Sequence, residues 1–287
     1  MRLATLRHDG ADVVARLDGD HACVVGGGMT MRELVAAGAE GLAAAALDDG
    51  ALLPLSEATL LTPVPDPSKV VAIGLNYRSH AEEVGAELPA EPMSFAKFPS
   101  SLVGHGAVVS WSESVTRRVD YEAELVVVIG RAARNVERAD ALGHVFGYTC
   151  GNDVSARDLQ VADGQWTRAK SLDTFGPVGP WIVTADEIPD PQALRIRCEV
   201  GGEVLQDQSA GDMIFDVAEL IARLSRAYTL LPGDLLLTGT PAGIGAARKP
   251  RRFLRDGDRV AVEIDGIGRL ENVCVVNEGS KEESGDD

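Results

Sequence analysis

No run of about 18 apolar residues occurs in the 287-residue sequence, so no helix long enough to cross a bilayer is expected. The opening residues, MRLATLRHDG, carry no apolar signal core, and the expected location is cytoplasmic. Cysteine is scarce and scattered: Cys23, Cys150, Cys198 and Cys274 form no CxxC and have no histidine at ligand spacing. That argues against a zinc site and for buried thiols in a reducing compartment. Positive charge is also short, with a formal net charge of −17. Nucleic acid and anionic membrane are therefore not expected partners. Lysine is the rarer cation, five residues (69, 97, 170, 249 and 281) against 22 arginines. Where arginine is the default, each lysine marks a position to inspect. Neither GxGxxG nor GK[ST] occurs, and GxSxG is missing too. This removes the usual signals of dinucleotide binding, phosphate loops and serine hydrolases.

What is present is strand-rich. Residues 1–62 alternate in two or three short strands with Asp-Gly turns. A helical stretch, TMRELVAAGAEGLAAAAL, follows within this unit. Thr30 and Glu33 open it with the spacing of a capping box. LLTPVPDPSKV then packs three prolines together and reads as a boundary. Beyond it, runs such as VVAIG, ELVVVIG, GPWIVT, RIRCEV and RVAVEIDGIG alternate with loops rich in Gly, Pro and Asp. Two helices are predicted among them, near 135–143 and over 213–231. The expected fold class is α+β, predominantly β. A small N-terminal domain over 1–62 would precede a larger one over 63–278, with an acidic disordered tail at 279–287.

Five groups of residues could carry chemistry. In DYEAELVVVIG, Glu122 and Glu124 fall on one face of a strand. The plain reading is an exposed face; the alternative is a site for a hard cation such as Mg²⁺, Mn²⁺ or Ca²⁺. GYTCGNDVSARDLQ offers Asp153 as a helix N-cap or a third ligand. Arg157 and Gln160 share its face if the segment is helical. In QWTRAKSLDTFGPVGP the rare Lys170 is a surface amine or a stabiliser of a developing enolate. His80 and Glu83 stand three apart, so on a helical turn Glu83 can orient the imidazole as a general base for water. In GDLLLTGTPAGIG, Thr240 and nearby backbone amides could contact a carboxylate.

Taken in order along the chain, these motifs resemble the fumarylacetoacetate hydrolase family, from about residue 60 to 278. The resemblance implies the family's mixed β-roll, usually as a homodimer. It implies Mg²⁺ or Mn²⁺ held by Glu122, Glu124 and Asp153, with Lys170 and Thr174 close to the metal. It also implies a lid carrying His80 and Glu83. True fumarylacetoacetases place a further acidic ligand in the loop matching GLNY, where this sequence has Asn76 and Tyr77. That points to the branch of acylpyruvases, oxaloacetate decarboxylases and catechol-pathway isomerases. The expected partner is thus a small 2-oxo or 2,4-dioxo acid, its carboxylate and 2-keto oxygen directed at the metal. His80 and Glu83 would activate water for C–C cleavage to a pyruvate enolate, stabilised by Lys170. Arg157, Gln160 and Thr240 would hold the rest of the substrate. Decarboxylation or keto–enol isomerisation through the same enolate is the alternative expectation, and a non-catalytic ligand-binding member is a third.

Overall fold

The computed structural model describes residues 1–47 and 50–277; the expected tail at 279–287 lies outside the described residues. The largest sheet has twelve strands in mixed directions. Its centre runs Gly176–Thr184, Val145–Asn152, Ala123–Ile129, Leu235–Leu237, Val70–Gly74 and Met93–Lys97. The pair Leu235–Leu237 and Val70–Gly74 is parallel, and its central neighbours are antiparallel. A five-stranded sheet packs on this centre; in it, Arg259–Ile264 and Gly268–Asn277 lie next to one another.

The strand Ala123–Ile129 is buried on both faces, which explains its near-continuous apolar run. Leu125, Val127 and Ile129 join the core between the two sheets. Val126 and Val128 join a second core, covered by the helix Met31–Leu47 through Leu34 and Val35. That helix opens with the expected capping box: Glu33 N donates to Thr30 Oγ1 at 3.2 Å, and Thr30 N to Glu33 Oε2 at 2.8 Å. Gly38, at φ 57 and ψ −127, kinks it midway.

The strands of the N-terminal unit, Arg2–His8, Ala11–Asp18, His21–Val24, Leu52–Pro54 and Thr59–Leu60, join edge-on to the large sheet. Arg2 and Leu3 pair with Val183 and Ile182. Two helix boundaries differ from expectation. The segment near 135–143 forms a 3₁₀ helix, Arg138–His144. The helix predicted over 213–231 spans only Val217–Ala227. Asp216 caps its start by accepting from Glu219 N at 2.8 Å. The residues before it are drawn away by Asn76, whose backbone carbonyl accepts from Ile214 N.

Asn76 ties the loop after Val70–Gly74 to the backbone at Phe215 and Thr238. It is fully buried. Its Nδ2 donates to Phe215 O and Thr238 O at 3.0 and 2.7 Å, and its Oδ1 accepts from Phe215 N at 2.9 Å. Asn76→Ala is expected to cost about 2–4 kcal/mol, because it strands buried backbone groups without partners. Chemical denaturation measures that loss.

Candidate active site and metal centre

Glu122, Glu124 and Asp153 meet at the end of the central strands. Each brings a carboxylate oxygen within 4.8 Å of the others, and all three residues are buried. The strand period puts Glu122 and Glu124 on one face. Asp153 arrives from the turn after Val145–Asn152, where its N–H donates to Glu122 O at 2.9 Å. Asp153 is not a helix N-cap: the helix begins only at Arg157, after Ala156. It therefore lies outside the helix whose face it was expected to share with Arg157 and Gln160.

Cations hold this acidic group from three sides. Lys170 Nζ donates to Glu122 Oε2 and Asp153 Oδ2 at 2.7 and 2.8 Å. Lys97 Nζ donates to Asp153 Oδ1 at 2.8 Å. Arg157 Nη2 lies 2.6 Å from Glu122 Oε1. Burial pushes the Glu122 carboxyl up, but Lys170 and Arg157 outweigh it and hold the group at about 2. Among the described residues Glu124 forms no ion pair, and Lys170 acts on it only at a distance. Burial, then Asp153 and Glu122, drive its carboxyl well above the ordinary range; the Gly239 N–H at 2.7 Å offsets only part of this. Burial pulls Lys170 down while Asp153 and Glu122 raise it, and the net direction is up. For the buried Lys97 desolvation wins, and its net direction is down. An all-oxygen set with one carboxylate left in repulsion fits a hard divalent cation, which would relieve the unpaired charge.

A cavity of about 320 Å³ opens beside this group. His80, Glu122, Arg157, Gln160, Lys170 and Thr240 supply its polar wall, and Ile73, Val84, Met93, Trp166 and Ile244 its apolar one. His80 sits on the helix Arg78–Val84 with Nδ1 3.4 Å from Glu83 Oε2. Glu83 is held in turn by Gly243 N at 2.9 Å. Thr240 Oγ1 accepts from Gln206 Nε2 at 2.8 Å. Leu75, at the cavity edge, has φ 54, a conformation uncommon for a side-chain-bearing residue.

Of the expected site residues, all but Thr174 contact the acidic group or line the cavity directly or through one partner. Thr174 turns elsewhere: its hydroxyl accepts from Ser110 N at 2.8 Å and donates to Ser110 O at 3.3 Å. Three buried residues were missed by the sequence reading. Lys97 carried the same signal as Lys170, rarity, and was passed over. Asp120 and Gln206 carried no local signal, since their partners lie far along the chain.

Residues 69–275 match the family model for the fumarylacetoacetate (FAA) hydrolase C-terminal region. The chain is 48% identical over 221 residues to oxaloacetate tautomerase YisK of Bacillus subtilis (strain 168), covering 76% of this chain and 73% of that protein. Among solved structures it is similar to the fumarylacetoacetate hydrolase of Exiguobacterium antarcticum, with TM-score 0.88, 36% identity, and coverage of 96% of this chain and 100% of that one. It is also similar to maleylpyruvate hydrolase from Sphingobium sp. SYK-6, solved with manganese(II) and pyruvate, at TM-score 0.80, 32% identity, and coverage of 97% and 100%. Matched along most of its length and similar in fold to these solved relatives, the chain belongs to the fumarylacetoacetate hydrolase family.

Proposed function

We propose that the protein is a metal-dependent keto–enol tautomerase of oxaloacetate, using Mg²⁺ or Mn²⁺ held by Glu122, Glu124 and Asp153. The observation that carries this reading is the shared cavity: it joins a positioned imidazole, His80, to the buried ammonium of Lys170 beside three carboxylates. Identity to the Bacillus tautomerase supports it. A divalent cation there would bind the 2-oxo acid and lower the energy of its enolate.

The residues do the remainder. The enol O–H gives up its proton and C3 takes one, so a group is needed that can accept and then donate. His80 meets that need, with Glu83 fixing its ring and balancing the charge it gains. Lys170 faces the negative charge that develops on the 2-oxygen. Arg157, Gln160 and Thr240 line the wall available to the rest of the substrate. Ile73, Val84, Met93, Trp166 and Ile244 give the same cavity an apolar wall opposite these polar groups.

Hydrolysis of acylpyruvates is the second reading, favoured by the same His80–Glu83 pair, which also suits activation of water. The two readings separate in one experiment. Purified protein with Mg²⁺ or Mn²⁺ is given enol-oxaloacetate and, separately, acetylpyruvate, and both ultraviolet decay and products are recorded. Rapid enol decay without pyruvate release is expected; release of acetate and pyruvate from acetylpyruvate at a higher kcat/KM would reverse the assignment. His80→Ala is expected to slow tautomerisation by about 10²–10⁴-fold. Metal affinity, read by calorimetry, should stay unchanged, since His80 does not belong to the acidic triad.

A further inference from the structure

The glycine-rich segment 239–246 presents its amides to the protein's own acids. Gly239 N donates to Glu124 and Gly243 N to Glu83. Gly245 N and Ala246 N donate to Asp120 Oδ1 and Oδ2 at 2.7 and 3.0 Å. Asp120 is fully buried and also accepts from Tyr121 N at 3.0 Å and from Arg157 Nε at 2.9 Å. The Arg157 fork is thereby hydrogen-bonded at two nitrogens, Nε to Asp120 and Nη1 to Gln160 Oε1 at 3.0 Å, while its buried Nη2 lies against the Glu122 charge with no hydrogen bond of its own. Gly245 is part of the arrangement, because a Cβ there would lie 2.5 Å from Asp120 Oδ1 and 2.0 Å from Arg252 O.

We propose that Asp120 is a positioning residue for substrate binding: it fixes the plane of Arg157 and anchors the cavity wall at Ile244–Ala246. Neither oxygen of Asp120 lines the cavity, whereas Arg157, Ile244 and Ala246 do. Asp120 therefore acts through them. A guanidinium held by two hydrogen bonds and an ion pair presents one orientation to an anionic ligand, and a freed one must be ordered again at each binding event. The inference rests on the reading that this cavity takes a 2-oxo acid.

Asp120→Asn keeps part of the wall anchor and removes the hold on Arg157. Its remaining oxygen can still accept from Tyr121 N and Gly245 N, but its amide would set a donor against Arg157 Nε and against Ala246 N. The probe is oxalate, a planar mimic of a pyruvate enolate, titrated by calorimetry at saturating Mn²⁺. Asp120→Asn is expected to weaken oxalate binding at least about tenfold, as for loss of one charge-assisted hydrogen bond. KM for enol-oxaloacetate should rise by a similar factor while kcat falls less. In an Arg157→Lys background, Asp120→Asn should add less than it does alone, because its route through Arg157 has already been removed and only the Ala246 contact is left to lose. Oxalate binding within twofold of the native protein, full additivity of the two losses, or an Asp120→Asn chain that does not fold would each overturn the proposal. If the native protein binds oxalate but does not tautomerise oxaloacetate, the reaction assignment falls. The role of Asp120 is then still decided by the binding data.

Discussion

Glu124→Gln is expected to leave the metal-free protein at least as stable as the native chain while removing its activity by 10³-fold or more, roughly the loss of a metal's charge stabilisation. The reason lies in how the triad shares its cations. Lys170 and Arg157 serve Glu122, and Lys170 and Lys97 serve Asp153. Glu124 has the Gly239 amide and the more distant charge of Lys170, and it is still pushed toward its neutral form. Glutamine resembles that neutral acid, retains an acceptor for Gly239 N, and cannot supply the negative oxygen a divalent cation needs. Thermal unfolding in chelator, paired with metal titration and turnover, tests all three parts. A strongly destabilised Glu124→Gln protein would contradict this account of the triad.

The same asymmetry sets a pH dependence. With its folded value raised above the ordinary 4.5, Glu124 keeps its proton in the folded state after the unfolded chain has lost it. The metal-free protein therefore loses stability as pH rises above about 4.5. Metal must displace that proton, so its affinity and its stabilising effect should grow with pH over the same range. Glu122 behaves oppositely: lowered to about 2, it contributes stability above 4.5 that disappears as pH falls toward 2. The difference between native and Glu124→Gln melting curves in chelator isolates the first effect. Parallel curves across pH would count against it.

Lys170→Met is the second large effect, and it separates metal binding from catalysis. The ammonium is 2% exposed and joins Glu122 to Asp153. Removing one partner of a buried ion pair typically costs about 3–5 kcal/mol. Lys97 still holds Asp153 and Arg157 still holds Glu122, so the lower end is expected for the metal-free protein. The freed carboxylates repel one another more, and metal should bind more tightly than to the native chain. Turnover should nevertheless fall by about 10²–10³-fold, as when one preorganised donor to a developing oxyanion is lost. Calorimetric metal titration beside kcat distinguishes this from a plain loss of fold, which would weaken both.

Much of the site was legible because its logic is local. A strand's period of two puts Glu122 and Glu124 on one face whatever packs around them, and a helical turn brings His80 to Glu83. The capping box at Thr30 and Glu33 is equally short-range. The helix predicted over 213–231 was too long because local periodicity could not register Asn76, which captures the backbone around Ile214 and Phe215 from far along the chain. The N-cap alternative for Asp153 fails for a related reason, since its backbone belongs to the turn that docks on Glu122.

By itself, the sequence determined the β-rich class, the acid pair, the His80–Glu83 pair and, through its motifs, the family. Only the tertiary structure decided how charge is shared among those residues. Lys97 reaches Asp153 across 56 positions, Asp120 reaches Gly245 across 125, and Gln206 reaches Thr240 across 34. Contacts of that span obey no period and leave no pattern in the residues between them. They arise because buried polar groups must find partners once the sheets have closed, and within the triad the group with the weakest support, Glu124, is where a bound cation would relieve the most repulsion.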